Sequence, residues 1–232
     1  MISAHFAAPA LASAAANAIT PILVFAVIIF LVIAGFFAQK KRAGAIQWFA
    51  QSRGLTYEKR NNGWANMDWG YPFGVGGGRK ANHVMTGQLN GRPVVTFDYQ
   101  YTTGSGDDRR TVTTMVTAIQ IPRAFPKLEV GLEGATGRFA RKLGFKDIEF
   151  ESEVFNRKYK VECPNRKFAS DVLHARFMEW LMSIDSSGFT VAGPYVITHR
   201  NGRLAEKAVD LNFSYINAVI DHMPNFVWAN AR

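Results

Sequence analysis

An uninterrupted apolar segment near the start of the chain, from Ile19 to Ala38, constrains this protein more than any other feature of its sequence. At about 1.5 Å per helical residue, a run of about 20 residues matches the roughly 30 Å hydrocarbon core of a bilayer. A core helix of a soluble protein normally keeps one polar stripe, which this segment lacks. The sequence therefore predicts a single transmembrane helix over residues 19–38.

The charges on either side of this segment predict its orientation. No Lys, Arg, Asp or Glu precedes Lys40, whereas Lys40, Lys41 and Arg42 follow the apolar run directly. Positive residues accumulate on the cytoplasmic side of membrane helices, so the N-terminus is expected outside and the rest of the chain inside. A cleaved signal peptide is the alternative, but the leader has no basic region at its start. The expected plan at the plasma membrane has four parts: an extracytoplasmic leader (1–18), the span (19–38), a basic juxtamembrane stem (39–54) and a cytoplasmic domain (55–232).

The cytoplasmic part is basic. The chain has 27 Lys and Arg against 18 Asp and Glu, and the net charge of +9 lies entirely from Lys40 onward. Such a domain is attracted to the anionic inner leaflet, so an anionic lipid is a possible partner; nucleic acid is a less favoured one, since no nucleic-acid motif accompanies the charge. The single cysteine, Cys163, excludes an intrachain disulfide and is interpreted as a small, partly buried residue at a strand end.

Hydrophobic periodicity and turn residues predict an α+β fold with an antiparallel sheet and packed helices. The clearest local signal is Asn90-Gly91, which is typical of a type I′ hairpin turn. In the strand after it, Val95, Phe97 and alternate residues are expected on the core face and Thr96 and Asp98 on the other. Pro122 to Pro126 are expected to interrupt the strand pattern. The expected strands are Leu55–Lys59, Ala81–Leu89, Arg92–Tyr101, Thr111–Ile121, Lys127–Val130, Asp147–Glu153, Arg157–Glu162 and Phe189–His199, and the expected helices are Ala43–Arg53, Gly137–Leu143, Arg166–Ile184 and Ala205–His222.

The long segment Asn61–Gly78, rich in glycine and aromatic residues, is the candidate for ligand or partner contact, because loops of this length are often functional. Consecutive glycines before Arg79 and Lys80 suggest an anion-binding turn, although the spacing matches neither a P-loop nor a dinucleotide fingerprint. A surface loop whose aromatic residues hold it to the core is the favoured alternative. The candidate contact residues are Trp69, Tyr71, Phe73, Gly76, Gly77, Arg79 and Lys80.

No residue pattern predicts a catalytic site, a cofactor site or a metal site. Glu149, Glu151 and Glu153 would share one face of a strand, where carboxylates could act as acid and base, but ion pairs with a following strand are the favoured explanation. The cationic partners expected in that strand are Arg157, Lys158 and Lys160. The five histidines lack the spacing of zinc ligands. An enzymatic activity is therefore left open, with a non-enzymatic role preferred.

Four segments resemble a family of uncharacterised, mostly actinobacterial membrane proteins with one N-terminal span. They are PFGVGGGR (72–79), GRPVVTFDYQYTTGS (91–105), FESEVFNRKYKV (150–161) and DVLHARFMEWL (171–181). The resemblance covers most of the soluble part and departs at Ala175, where many relatives have a proline. It implies a membrane-tethered domain and brings no known functional residues with it.

Two functions follow as hypotheses. The first is a single-pass accessory or scaffold protein of a membrane complex, with the membrane and a membrane-protein complex as partners. The alternative is a membrane-tethered module that binds an anionic lipid headgroup or a nucleotide through the segment Gly74–Lys80.

Overall fold

The computed structural model describes residues 8–133, 147–186 and 188–230, which form two units, one up to Ala45 and one from Ile46 onward. The predicted helix Gly137–Leu143 lies outside the described residues.

Helix α1 (Ala8–Ser52) contains the predicted apolar segment without a break. From Val24 to Ser52 it is long and apolar enough to cross a membrane, and no part of that segment's most apolar window is buried. Its large apolar side chains between Val24 and Phe37 are each 49 to 68 % exposed. An apolar surface of this size normally needs a lipid or protein partner.

The second unit begins with the last turns of α1. Ile46, Phe49 and Ala50 are buried there and belong to the hydrophobic core of this unit. The helix ends at Ser52, and Gly54, two residues later, has a φ of +68°. The N–H of Leu55 donates to the carbonyl of Ala50 at 2.8 Å, so an otherwise free helix-end carbonyl is satisfied.

The remaining elements confirm the α+β prediction. The strands are β1 (Thr56–Arg60), β2 (Gly77–Leu89), β3 (Arg92–Thr103), β4 (Arg110–Leu132), β5 (Tyr159–Glu162) and β6 (Gly188–Asn201). The helices are α2 (Glu153–Lys158), α3 (Arg166–Val172), α4 (Ala175–Ser183), α5 (Glu206–His222) and α6 (Asn225–Asn230). The hairpin at Asn90-Gly91 forms as predicted, with Asn90 and Gly91 both at positive φ.

All strand pairs are antiparallel, and β4 is the central strand. Strands β1 to β4 follow one another in the sheet, and β6 pairs with β4 along nearly its whole length. The other edge of β4 is shared, since β3 pairs with its first part and β5 with its last four residues. One long strand therefore connects every part of the sheet except β1 and β2.

The predicted interruption at Pro122 to Pro126 is wrong, because β4 continues through both prolines. Pairing with β3 ends at Ile119 and pairing with β5 begins only at Glu129, while the register with β6 is irregular between Gln120 and Leu128. Both prolines are exposed in this interval. Proline lacks an N–H, so it is tolerated in a strand at positions where no regular hydrogen bond to a neighbouring strand is needed.

Both faces of the sheet are buried along β3, so the expected polar face of this strand is also a core face. Thr96 and Asp98 are 0 and 3 % exposed. Thr96 stands beside Thr117, with their hydroxyl oxygens 3.0 Å apart. Asn212 of α5 donates to the hydroxyl of Thr117 at 3.2 Å and accepts from Nε of Arg200 at 2.7 Å. These bonds satisfy buried polar groups and fix α5 on this face.

The predicted strand Asp147–Glu153 is wrong, and so is the common face of Glu149, Glu151 and Glu153. Only Asp147 makes an isolated bridge, and Glu153 starts helix α2. The side chain of Ser152 caps this helix by accepting from the N–H of Phe155.

The cationic partners also differ from the expectation. Arg157 and Lys158 belong to α2 rather than to a strand, and Arg157 pairs with Glu153 one turn away at 3.2 Å. Lys160 lies on β5 and pairs with Asp147 at 3.4 Å. The predicted strand–strand ion pairs therefore do not form, because Glu149 and Glu151 lie outside any strand and the segment from Glu153 to Lys158 is helix α2.

The single helix predicted over Arg166–Ile184 is two helices, α3 and α4. The chain leaves the helical conformation at Leu173 and is extended at His174. Nε2 of His174 lies 3.2 Å from the carbonyl oxygen of His222, at the end of α5. This tertiary contact lies at the helix break, and the sequence has no glycine or proline there that would predict the break.

Candidate functional site at the aromatic loop

The aromatic loop, Asn61–Gly76, lies between β1 and β2 and covers one face of the sheet. Trp69 and Phe73 are 2 and 8 % exposed and belong to the core on that face. The ring of Phe73 packs against that of Tyr99 of β3, with centroids 4.5 Å apart. Two of the predicted contact residues, Trp69 and Phe73, thus hold the loop to the core, as the favoured alternative expected.

Tyr71 is half-buried in the same loop and belongs to a cluster of rings over the sheet. It shares a side-chain hydrogen bond with Tyr101, and its ring is packed at a steep angle against that of His199, with centroids 5.4 Å apart. Burial, together with that hydrogen bond, raises the pKa of Tyr101, while burial lowers the pKa of His199 to about 4. Tyr101 and His199 are therefore uncharged at neutral pH.

Polar side chains of β4 bind the aromatic loop. Oε2 of Glu129 accepts from the N–H of Tyr71 at 3.1 Å, and Nζ of Lys127 reaches Asp68 at 2.6 Å and Glu129 at 3.4 Å. Gly70 has a φ of +76°, and a Cβ atom there would lie 2.3 Å from the Glu129 carboxyl carbon, so a larger residue would be strained and would displace this carboxylate. The sequence showed no signal for this contact, because Tyr71 and Glu129 are far apart in the chain and joined only by tertiary structure.

Glu129 also faces a second carboxyl group, since Glu162 of β5 lies directly opposite it. Burial of Glu162, and then the nearby charge of Glu129, raise the pKa of the Glu162 carboxyl; Asp147 adds to this rise, and Lys160 and Lys127 oppose it. In the folded chain, therefore, the charged form of Glu162 is disfavoured.

This pair predicts a pH-dependent gain from the change Glu162→Gln. Because the folded-state pKa is raised, the wild-type protein loses stability as pH rises from the unfolded pKa, about 4.3, through the folded pKa. We expect the variant to melt at a higher temperature than the wild type at pH 7.5 and at the same temperature near pH 4. Glu153→Gln, at a side chain that is 84 % exposed, is the control and should show no such gain. Equal melting temperatures of the Glu162 variant and wild type at pH 7.5 would refute the prediction.

The glycine-rich segment has no preorganised anion cradle. Arg79 donates to the carbonyl oxygens of Gly74 at 2.8 Å and Gly76 at 3.2 Å, so oxygens rather than N–H groups turn toward this guanidinium. Gly77 and Lys80 lie in β2, where strand pairing sets their conformation, and Lys80 is exposed. An anion cradle needs several N–H groups converging on one point. Ligand contact by these residues stays a prediction.

Gly76 is the tightest point of this segment. It has a φ of +60°, and a Cβ atom there would lie 2.2 Å from the carbonyl oxygen of Thr102. We expect Gly76→Ala to lower the free energy of unfolding by about 2–3 kcal/mol, from backbone strain plus overpacking that the exposed segment partly relieves by shifting. Gly74→Ala is the matched control, because Gly74 has a φ of +80° with open space around it, and should lose only about 1 kcal/mol. Thermal unfolding of the two variants measures the difference; equal losses would show that the Thr102 contact does not matter.

The topology residues lie on α1, after its apolar part. Lys40 and Lys41 are exposed and Arg42 is half-buried. Cys163 lies directly after β5, at the predicted strand end, and is buried rather than partly buried. Among the described residues no three His, Cys, Asp or Glu side chains are placed to hold a metal ion together.

Comparison with known proteins gives one structural likeness. No protein-family model matches the chain, and no curated protein matches it either. The fold is similar to the crystal structure of the mycobacterial trehalose monomycolate transport factor A, with a TM-score of 0.55. The match covers 78 % of this chain and 96 % of that one at 13 % sequence identity. At this identity the likeness shows a shared fold.

Proposed function

We propose that this chain is a single-pass membrane protein whose folded unit from Ile46 onward serves as a non-enzymatic accessory or scaffold part of a membrane-protein complex. The observation that carries the proposal is the exposed apolar surface of α1, where side chains such as Phe30 and Phe36 are 68 and 66 % exposed. Leaving such side chains in water is unfavourable by about 25 cal/mol per Å². A bilayer removes this penalty and tethers the folded unit beside membrane proteins.

The structural neighbour supports the accessory role. That protein is a transport factor for trehalose monomycolate, and its fold is similar to the fold of this chain. We extend the analogy to the kind of complex: an assembly in the membrane that serves the cell envelope. Membership of the actinobacterial single-span family, suggested by the four resembling segments, belongs to the same proposal.

The proposed orientation places the folded unit in the cytoplasm, at the plasma membrane. It follows from Lys40, Lys41 and Arg42 immediately after the apolar segment. A cytoplasmic domain beside the anionic leaflet also accounts for the excess of basic residues beyond Lys40.

Cysteine labelling tests this orientation with little background. Cys163 is buried, and burial raises the pKa of its thiol, so it reacts slowly. Asp107→Cys adds an exposed thiol in the turn before β4. We expect a membrane-impermeant maleimide to label this variant only after the cells are opened, at least tenfold above its labelling in intact cells. Labelling of intact cells at the level of lysed cells would reverse the proposed orientation.

Purification from the native host tests the accessory role. The tagged full-length chain is extracted in mild detergent, and the proteins that accompany it are quantified by mass spectrometry. We expect a defined membrane protein in near-stoichiometric amount. The control is a chain in which residues 19–38 are replaced by an unrelated apolar helix of equal length. Retention of the partner by this control assigns the contact to the folded unit, and its loss assigns the contact to the span.

Recovery of the tagged chain alone, under conditions where other membrane complexes of that host stay intact, would contradict the accessory role.

A further inference from the structure

A groove of about 510 Å³ opens between helices α5 and α6 and residues 120–122 of β4, on a part of the molecule separate from the aromatic loop. Its floor is apolar and is formed by Ile121, Ile220 and Met223, all buried. The indole of Trp228 forms a wall; its Nε1 donates to the carbonyl of Met223 at 3.2 Å, which holds the ring in place. The volume falls in the range of small-molecule sites, about 300–1,000 Å³.

The rim of the groove is polar and carries one charge of each sign. Nη2 of Arg92 lies 3.4 Å from Oδ1 of Asp221, and the two side chains are 36 and 66 % exposed. Nη1 of the same guanidinium is buried and has no hydrogen-bond partner among the described residues. The exposed amide side chains of Gln120 and Asn225 complete the rim. Hydrogen-bond donors and acceptors thus stand side by side above an apolar floor.

We propose that this groove binds an amphipathic molecule with an uncharged, hydroxyl-rich head and an alkyl chain. A hydroxyl group both donates and accepts, so it can lie between the two rim charges, donating to Oδ1 of Asp221 and accepting from Nη2 of Arg92. An anionic head would meet the carboxylate of Asp221, and a cationic head would meet the guanidinium of Arg92, in each case against a like charge. The alkyl chain covers the floor at Ile121, Ile220 and Met223.

The long contact between Arg92 and Asp221 favours this arrangement. At 3.4 Å and with both groups partly exposed, the ion pair is worth little by itself. A ligand that parts the two groups therefore loses little and forms charge-assisted hydrogen bonds with both. The inference rests on the groove alone and holds whichever membrane partner the chain has.

Photo-crosslinking tests the inference with the full chain in nanodiscs. The probe is an octyl glucoside that carries a diazirine on its alkyl chain, and crosslinked peptides are identified by mass spectrometry. We expect crosslinks in 120–122 and 220–228, reduced at least tenfold by excess octyl glucoside. Octyl sulfate, octyltrimethylammonium and free glucose, at equal concentration, should leave the crosslinks nearly unchanged.

Two matched variants separate binding from folding. Arg92→Leu should reduce crosslinking in the groove at least tenfold. Arg53→Leu breaks a similar exposed ion pair to α5, with Asp210 at 2.8 Å, and should leave crosslinking unchanged. If the Arg92 variant does not fold, Asn225→Trp fills the groove from an exposed rim position and should give the same loss.

Several outcomes would overturn the inference. If octyl sulfate or octyltrimethylammonium competed as strongly as octyl glucoside, the groove would not distinguish an uncharged head from a charged one. Competition by glucose alone would remove the role of the apolar floor, and crosslinks that avoid both groove segments would remove the site.

Discussion

Replacing Phe30 and Val32 by aspartate is expected to transfer the chain from the carbonate-resistant membrane fraction to the soluble or aggregated fraction. The two side chains are 68 and 65 % exposed near the middle of the apolar segment, so a bilayer is the medium that would surround them. Each Asp at the centre of a membrane helix costs about 2.5–3.5 kcal/mol, so the double change costs about 5–7 kcal/mol. Immunoblots of carbonate-washed membranes measure the transfer.

The matched control adds the same charge to the same helix beyond its apolar part. Gln47→Asp with Gln51→Asp changes two exposed positions near the end of α1 and should leave the membrane fraction as in the wild type. If the Phe30 and Val32 variant stays in the membrane fraction at the wild-type level, α1 is not what holds the chain there.

Gly188→Ala is expected to lower the free energy of unfolding by about 3–5 kcal/mol, the sum of backbone strain and overpacking. Gly188 begins β6 with a φ of +87°, and a Cβ atom there would lie 2.1 Å from the carbonyl oxygen of Val130 in β4. Neither partner can retreat easily, since Gly188 is buried and its carbonyl accepts from the hydroxyl of Thr198. At about 2–4 °C per kcal/mol for a domain of this size, the melting temperature should fall by roughly 10 °C.

Gly193 of the same strand provides the control. It has a φ of +55° with nothing near its missing Cβ atom, so Gly193→Ala should lose only about 1 kcal/mol. Tryptophan-fluorescence melts of the full chain in mild detergent compare the two variants. A loss at Gly188 no larger than the loss at Gly193 would mean that the β4 contact is not the cause.

Sequence patterns predicted those parts of the fold that depend only on neighbouring residues. Asn90-Gly91 selects a hairpin turn without help from the rest of the chain, and the apolar spacing of α5 gives its core face directly. The irregular pairing of β4 near its prolines and the helix break at His174 depend on partners far away in sequence, β6 and the carbonyl of His222. No window of neighbouring residues contains that information.

The candidate site was likewise predicted only in part. An aromatic, glycine-rich loop is visible in the sequence, and the burial of Trp69 and Phe73 agrees with the simpler of its two interpretations. The role of Glu129 and Lys127 was not predicted, because in the sequence they are two residues of a short predicted strand. Their contact with the loop forms only when β4 pairs with its neighbours. The polar rim of the groove, from Arg92 and Asp221, was invisible for the same reason.

The long central strand also sets an order of events during protein synthesis. Strand β3 leaves the ribosome just before β4 and can pair with it at once, whereas β6 follows much later. Even the nearest partners, Gly131 and Gly188, are about 60 residues apart, so at about 5–20 residues per second the second edge of β4 waits about 3–12 s for its neighbour. An unpaired edge is a template for pairing with another nascent chain. Chains that terminate before Gly188 should therefore aggregate, and a slow-translating stretch between β4 and β6 would lengthen the same hazard.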